Sequence, residues 1–122
     1  MNRIKSCHST SLEQALCVQF VDKGLLHQAL VHSSYLNENP NDFTESNSRL
    51  EFLGDAVLGI VAAEELYRSY PEWSEGKLTE ARSVLVRGGT LAIVARRLQI
   101  GACIYVGKGE EDAGGRERSS TL

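Results

Sequence analysis

Apolar residues recur at helical spacing along most of this chain, and alternation with a period of two is nearly absent. Ser11-Leu12-Glu13-Gln14 has the form of a capping box and predicts a short helix running to about Phe20. Asp22 is placed to cap a second helix carrying Leu25, Leu26, Ala29 and Leu30. Asn37-Glu38-Asn39-Pro40-Asn41-Asp42 reads as a loop. The longest periodic segment runs from about Ser46 to Tyr70, and Pro71 stops it. Apolar residues surround nearly its whole circumference, which predicts a helix lying in the core. Ser74 is a cap for a helix carrying Leu78, Ala81, Val84 and Leu85. Arg87-Gly88-Gly89-Thr90 breaks the pattern, with Thr90 as the expected cap of a further helix bearing Leu91, Val94, Ala95 and Leu98. From Gly101 the chain is glycine-rich and loop-like, and only Ala102–Val106 has any strand character. Ser119-Ser120-Thr121-Leu122 reads as a helix N-terminus. The expected fold is all-α.

Composition adds limits. A chain of 122 residues, 42% hydrophobic and 24% charged, is an ordinary globular mixture of single-domain size. No apolar run is long enough to span a membrane, and no apolar stretch follows the basic residues at the N-terminus, so neither a membrane anchor nor a secretory signal is expected. Cys7, Cys17 and Cys103 are odd in number and far apart, which favours a reducing cytoplasm over a disulfide framework or a zinc knuckle. Cys17 and Cys103 are expected to be buried small hydrophobes. The net charge of −3 argues against a generally basic nucleic-acid surface. Its distribution is uneven. Residues 37–75 hold nine acids and two bases, whereas residues 77–98 hold five bases and one acid. An acidic stretch beside a basic one suits metal-assisted phosphate chemistry, but on charge alone helices with differently charged solvent faces are the favoured account.

Glu51 and Asp55 are four residues apart on the most apolar helix and therefore share a face. No base lies between Arg49 and Arg68 to relieve their repulsion. Two readings stand side by side. In one, both face solvent at a helix edge, or one is held neutral. In the other, they converge on a divalent cation such as Mg²⁺ or Mn²⁺, for which hard oxygen ligands are suited. Gly54 and Gly59, costly inside a helix, point to a close approach by another helix, a partner or a substrate.

Arg49-Leu50-Glu51-Phe52-Leu53-Gly54-Asp55-Ala56 resembles the signature of the ribonuclease III family. Flanking blocks at 22–26, 29–35, 75–78, 85–92 and 101–115 resemble the segments around it in bacterial members. The resemblance covers roughly residues 11–122, with 1–10 as an N-terminal tail. It implies a helical endonuclease domain that acts as a homodimer on double-stranded RNA and leaves 5′-phosphate and 3′-hydroxyl ends, as in ribosomal RNA processing. DNA and membranes are not expected partners. The cofactor implied is Mg²⁺, with Mn²⁺ as a substitute. Carried over by position, Glu51 and Asp55 are catalytic metal ligands, Glu75 is an auxiliary acid, and Phe52 lies at the dimer contact. Ser48 stands where the family often has an acid. The family's second acidic pair and its separate double-stranded-RNA-binding domain have no counterpart here, so the chain is expected to carry half of the metal cage.

Other residues have plainer readings. His27 and His32 are expected in capping or core hydrogen bonds, and Tyr70 and Trp73 in packing the turn at Pro71. Arg82, Arg87, Arg96 and Arg97 are phosphate-contact candidates, with Arg82 and Arg87 preferred, although simple solvent exposure accounts for each. Two other functions compete with a nuclease: a non-catalytic module that dimerises or binds duplex RNA weakly, and a small helical interaction protein.

Overall fold

A computed structural model describes residues 10–122; the expected tail and Cys7 lie outside the described residues apart from Thr10. The described part is helical, as the spacing predicts. Its α-helices are α1 (10–16), α2 (Lys23–Ala29), α3 (Ser33–Glu38), α4 (Ser48–Ser69), α5 (Glu75–Leu85), α6 (Gly88–Arg97) and α7 (Lys108–Asp112), with 3-10 turns at Ile100–Cys103 and Gly115–Glu117. The strand character at 102–106 reduces to one parallel bridge, Val31 with Tyr105.

Several helix ends follow from single side chains. Asp22 caps α2 by accepting from the Leu25 amide at 3.0 Å. Ser74 caps α5 by accepting from the Lys77 amide at 3.3 Å. His32 caps α3 through Nδ1, which accepts from the Ser34 amide at 3.2 Å and lies 2.7 Å from its hydroxyl. Tyr70 and Trp73 stack at 3.9 Å, and the Lys77 ammonium sits 4.4 Å from the Trp73 ring, so the turn at Pro71 is packed as expected.

Other expectations need correction. Ser11 lies inside α1, which stops at residue 16; Cys17 then takes a left-handed φ of 54°. Glu13 faces inward instead. It accepts from the Phe20 amide at 2.7 Å and pairs with the Lys23 ammonium. That lysine first, and the amide second, hold its carboxyl below the usual range. Cys17 is exposed; Cys103 is buried as expected. Thr90 does not cap α6, which begins at Gly88 with Arg87 as its cap; the Thr90 hydroxyl donates to the Val84 carbonyl at 2.7 Å and fastens α6 to the end of α5. The glycine-rich stretch is more ordered than a loop, with α7 inside it. The final residues close one helical turn, in which the Leu122 amide donates to the Arg118 carbonyl at 3.0 Å.

The core joins Leu12 of α1, Leu26 of α2, Leu30 and Val31 after it, and Cys103 and Tyr105 from the far end of the chain. Tyr35, Phe43 and Tyr105 meet at centroid distances of 5.3–6.1 Å. Burial and the Asp42 carboxylate, to which the Tyr35 hydroxyl donates at 2.8 Å, push that phenol up to about 12. Gly107 packs against α3, and its amide donates to Ser34 Oγ at 2.9 Å. Glu38 accepts from the Lys108 and Gly109 amides at 2.8 and 3.3 Å. Arg116 donates to both Glu111 oxygens and to the carbonyls of Gly101 and Ile104, each at 2.6 Å for the carbonyls.

The largest correction concerns α4. It contributes nothing to that core, and Leu66 is its one buried residue. Phe52 is 85% exposed, and Leu53, Val57, Ile60, Val61 and Tyr67 are exposed with it. Glu51 and Asp55 are also exposed. Gly54 and Gly59 have open space where a Cβ would stand, so nothing in the described chain makes the close approach their presence implied. A helix apolar on all sides needs cover on all sides. The described chain covers chiefly the side of the C-terminal half that faces α5.

Three outcomes follow. A Cβ on Gly107 would lie 2.6 Å from the Ser34 carbonyl oxygen, so Gly107→Ala destabilises by about 1–3 kcal/mol in urea unfolding, whereas Gly109→Ala, with open space in α7, is neutral or stabilises. Because Asp55 is exposed beside Glu51, Asp55→Asn changes stability by no more than about 0.5 kcal/mol; a large loss would mean that the folded protein buries or pairs this carboxylate. For Tyr35, the raised value means the folded state holds the phenolic proton. Its contribution is therefore intact below its ordinary value of 10.0 and is lost as pH rises toward about 12, which an alkaline phenolate absorbance titration would follow.

Candidate metal-site helix

The candidate carboxylates sit at the N-terminal end of the 22-residue α4. At 100° per residue, Glu51, Asp55, Leu58, Ala62 and Leu66 fall in one stripe. Along it Glu51 and Asp55 are exposed, Leu58 and Ala62 are half-buried, and Leu66 is buried. The pair therefore stands where the cover on that stripe gives out. Glu51 lies in the first turn, where the helix dipole favours a carboxylate by about 0.3–1 kcal/mol.

Neither carboxylate takes a hydrogen bond or ion pair among the described residues. The two bases of the 37–75 stretch are engaged elsewhere: Arg49 lies 3.9 Å from Glu45, and Arg68 lies 2.6 Å from Glu64. Two unpaired carboxylates one turn apart are a fit beginning for a hard divalent cation. They are not a full set. No group of three or more His, Cys, Asp or Glu side chains that could hold a metal occurs among the described residues. Glu75, at the first turn of α5, does not join the pair. It accepts from the Thr79 hydroxyl at 3.3 Å and borders a groove between α4 and α5 with Gly59, Ala63, Leu78 and Arg82.

The N-terminus of α4 is tied down by groups that sequence reading passed over. Asn47 precedes the helix, yet its side chain makes no cap. Its amide nitrogen donates to the Ala29 carbonyl at 3.2 Å. Its backbone amide donates to the Val31 carbonyl at 2.8 Å, and its carbonyl accepts from the Glu51 amide at 2.8 Å. Gln28 Nε2 reaches Glu45 at 3.2 Å and the Ser46 carbonyl at 3.5 Å. The only sequence signal for this was an asparagine at a helix start, which reads as an ordinary cap.

Among the basic candidates, Arg82 is exposed at the α4–α5 groove and Arg87 is exposed at the start of α6. Arg96 is engaged structurally, donating to the Glu117 carbonyl at 3.0 Å. His32 is a cap, as expected, and His27 lies in the last turn of α2.

A family model described as ribonuclease-III-like matches residues 22–122. A protein named ribonuclease 3 from Pelotomaculum thermopropionicum is 51% identical over 113 residues, covering 93% of this chain and 47% of that one. Another of that name from Dehalococcoides mccartyi is 48% identical over 113 residues, covering 93% and 48%. The chain spans about half the length of these curated relatives. Among solved structures, the nuclease domain of ribonuclease III from Campylobacter jejuni, described as structurally flexible in a region involved in dimer formation, superposes with a TM-score of 0.81 at 40% identity, covering 91% of this chain and 73% of that one. With its signature on α4 and the match running across nearly all of its helices, the chain belongs to the ribonuclease-III-like family.

Proposed function

We propose that this chain carries part of the active site of a Mg²⁺-dependent endoribonuclease, with Mn²⁺ as a substitute, that hydrolyses double-stranded RNA to 5′-phosphate and 3′-hydroxyl ends. One observation above the rest supports this reading: Glu51 and Asp55 stand exposed and unpaired, one turn apart, on the helix that bears the family signature. When bound, a divalent cation supplies charge neutralisation at a phosphoryl group and activation of water. The part of this chain is to hold two anionic oxygens at a fixed spacing on a rigid helix. Both carboxylates come without competing bases, so neither must break an ion pair to bind. Glu51 and Asp55 would hold the cation together with ligands that the described residues do not supply.

In this reading residues 11–122 belong to a catalytic domain working in the cytoplasm on RNA precursors, ribosomal RNA among them. Glu75 is an auxiliary acid at the rim of the α4–α5 groove. Arg82 and Arg87, exposed and unpaired among the described residues, contact phosphates. Phe52 anchors a homodimer; an aromatic residue 85% exposed beside further exposed apolar residues is what an interface hot spot looks like before its partner arrives.

A second reading has its own support. The described residues offer two ligands where a hard octahedral cation takes six. On that account the chain alone is a non-catalytic module that dimerises or binds duplex RNA weakly.

Cleavage of a long RNA duplex with Mg²⁺ separates the two, using this chain and a version of full family length. The nuclease reading expects the long form to cut and Glu51→Ala or Asp55→Ala to lower the rate by more than roughly 100-fold, beyond the usual effect of losing an outer-shell partner. An unchanged rate in either variant refutes the assignment of that residue. A long form that never cuts leaves the module reading in possession. Sedimentation addresses the assembly: Phe52→Ala lowers the self-associated fraction, and an unaltered mass distribution refutes its anchoring role.

A further inference from the structure

Asparagine is a favoured helix cap because its side-chain oxygen accepts from the amides of the first turn. Asn47 sits at that position before α4 and does not do this. The neighbouring Ser46 hydroxyl lies 3.4 Å from the Ser48 amide, which leaves the Asn47 side chain free for another task. Its amide reaches back across the fold to the Ala29 carbonyl, and its backbone N–H reaches the Val31 carbonyl. The Ala29 carbonyl is at the exposed last residue of α2, and the Val31 carbonyl belongs to the core. Val31 is fully buried, and its neighbours are clamped to the far end of the chain: the Tyr105 amide donates to the Leu30 carbonyl at 2.8 Å, and the His32 amide donates to the Tyr105 carbonyl at 3.0 Å.

One residue thus spans the gap between the core and a helix that the core does not cover. The carbonyl of Asn47 receives the Glu51 amide, so the plane of this residue fixes where the first turn of α4 begins. Asp55 follows one turn later along the same stripe. We propose that Asn47 is a positioning residue for the Glu51–Asp55 pair: its two-point attachment to Ala29 and Val31 sets the angle and register at which both carboxylates are presented. This inference rests on the metal-site reading of that pair. A helix held by side-chain packing would not need such a tie, but α4 has no buried residue before Leu66.

The test compares Asn47→Ser with wild type in the full-length protein. Serine is also a favoured cap and is uncharged, but it is too short to reach the Ala29 carbonyl. Three quantities are read. Hydrogen exchange, measured without metal, is expected to show protection of the Glu51 amide falling roughly fivefold, the factor that one net hydrogen bond represents. Mn²⁺ affinity by calorimetry and kcat on duplex RNA are expected to fall on the order of 10- to 100-fold, with KM little changed. Exchange of the Leu66 amide, at the covered end of the helix, stays as in wild type.

Unchanged protection at Glu51, or unchanged Mn²⁺ affinity and kcat in the face of a protection loss, overturns the proposal. Should Asn47→Ser not fold, Asn47→Asp restores a strong cap while still lacking the donor, and the same Glu51 exchange measurement decides. A wild-type protein that neither binds Mn²⁺ nor cuts RNA defeats the metal-site reading and with it the positioning role, whereas the exchange result reports on the tie itself.

Discussion

The segment Leu30-Val31-His32 is the joint on which the described structure depends. Backbone bonds link it on one side to Tyr105, seventy-odd positions along the chain, and on the other to Asn47 at the head of α4. Its central side chain, Val31, is fully buried. Pairing peptide groups in this way satisfies polar atoms that would otherwise be stranded among Leu12, Leu26 and Cys103. It also converts a small hydrophobic cluster into a reference frame for two long excursions, the α4–α5 hairpin and the 100–118 segment. A chain of this size gains little from core volume alone, so long-range bonds of this type carry much of its specificity.

The periodicity of the sequence was a sound guide to which segments are helical and a poor guide to where the long helix sits. Leu53, Val57, Ile60 and Val61 are apolar for a reason that hydropathy does not disclose. The same pattern serves a helix inside a core and a helix that another surface covers. Composition offers no means of telling them apart, because the quantity that differs is how much cover the rest of the chain provides. Here the core is complete without α4. The carboxylates were legible as a pair, from spacing and from the signature around them. Which of the two readings holds was not, since the apolar context that makes them conspicuous is shared by a helix inside a core and one left uncovered.

Caps divide the same way. Asp22 and Ser74 were legible because each acts on the amide three residues downstream, within the reach of local chemistry. Thr90 and Asn47 were misread or overlooked because each turns away from its own helix to a distant carbonyl, Val84 in one case and Ala29 in the other. Glu13 adds a third case: the box by spacing pairs Ser11 with Gln14, whereas the residue between them, Glu13, is the one that turns inward, to the Phe20 amide and Lys23. A residue's type states which bonds it can make. Only the tertiary arrangement decides which of them it does make.

Arg116 shows how narrow that decision can be. Its planar fork closes on the Glu111 carboxylate with one edge and on the carbonyls of Gly101 and Ile104 with another, so a single side chain seals the 3-10 turn, α7 and the last turn into one unit. A lysine keeps the charge but has one nitrogen with no fixed plane, and it cannot address both edges at once. The position is therefore closed to the commonest conservative exchange, and the glycine-rich stretch that looked most tolerant of change contains one of the least replaceable side chains in the protein.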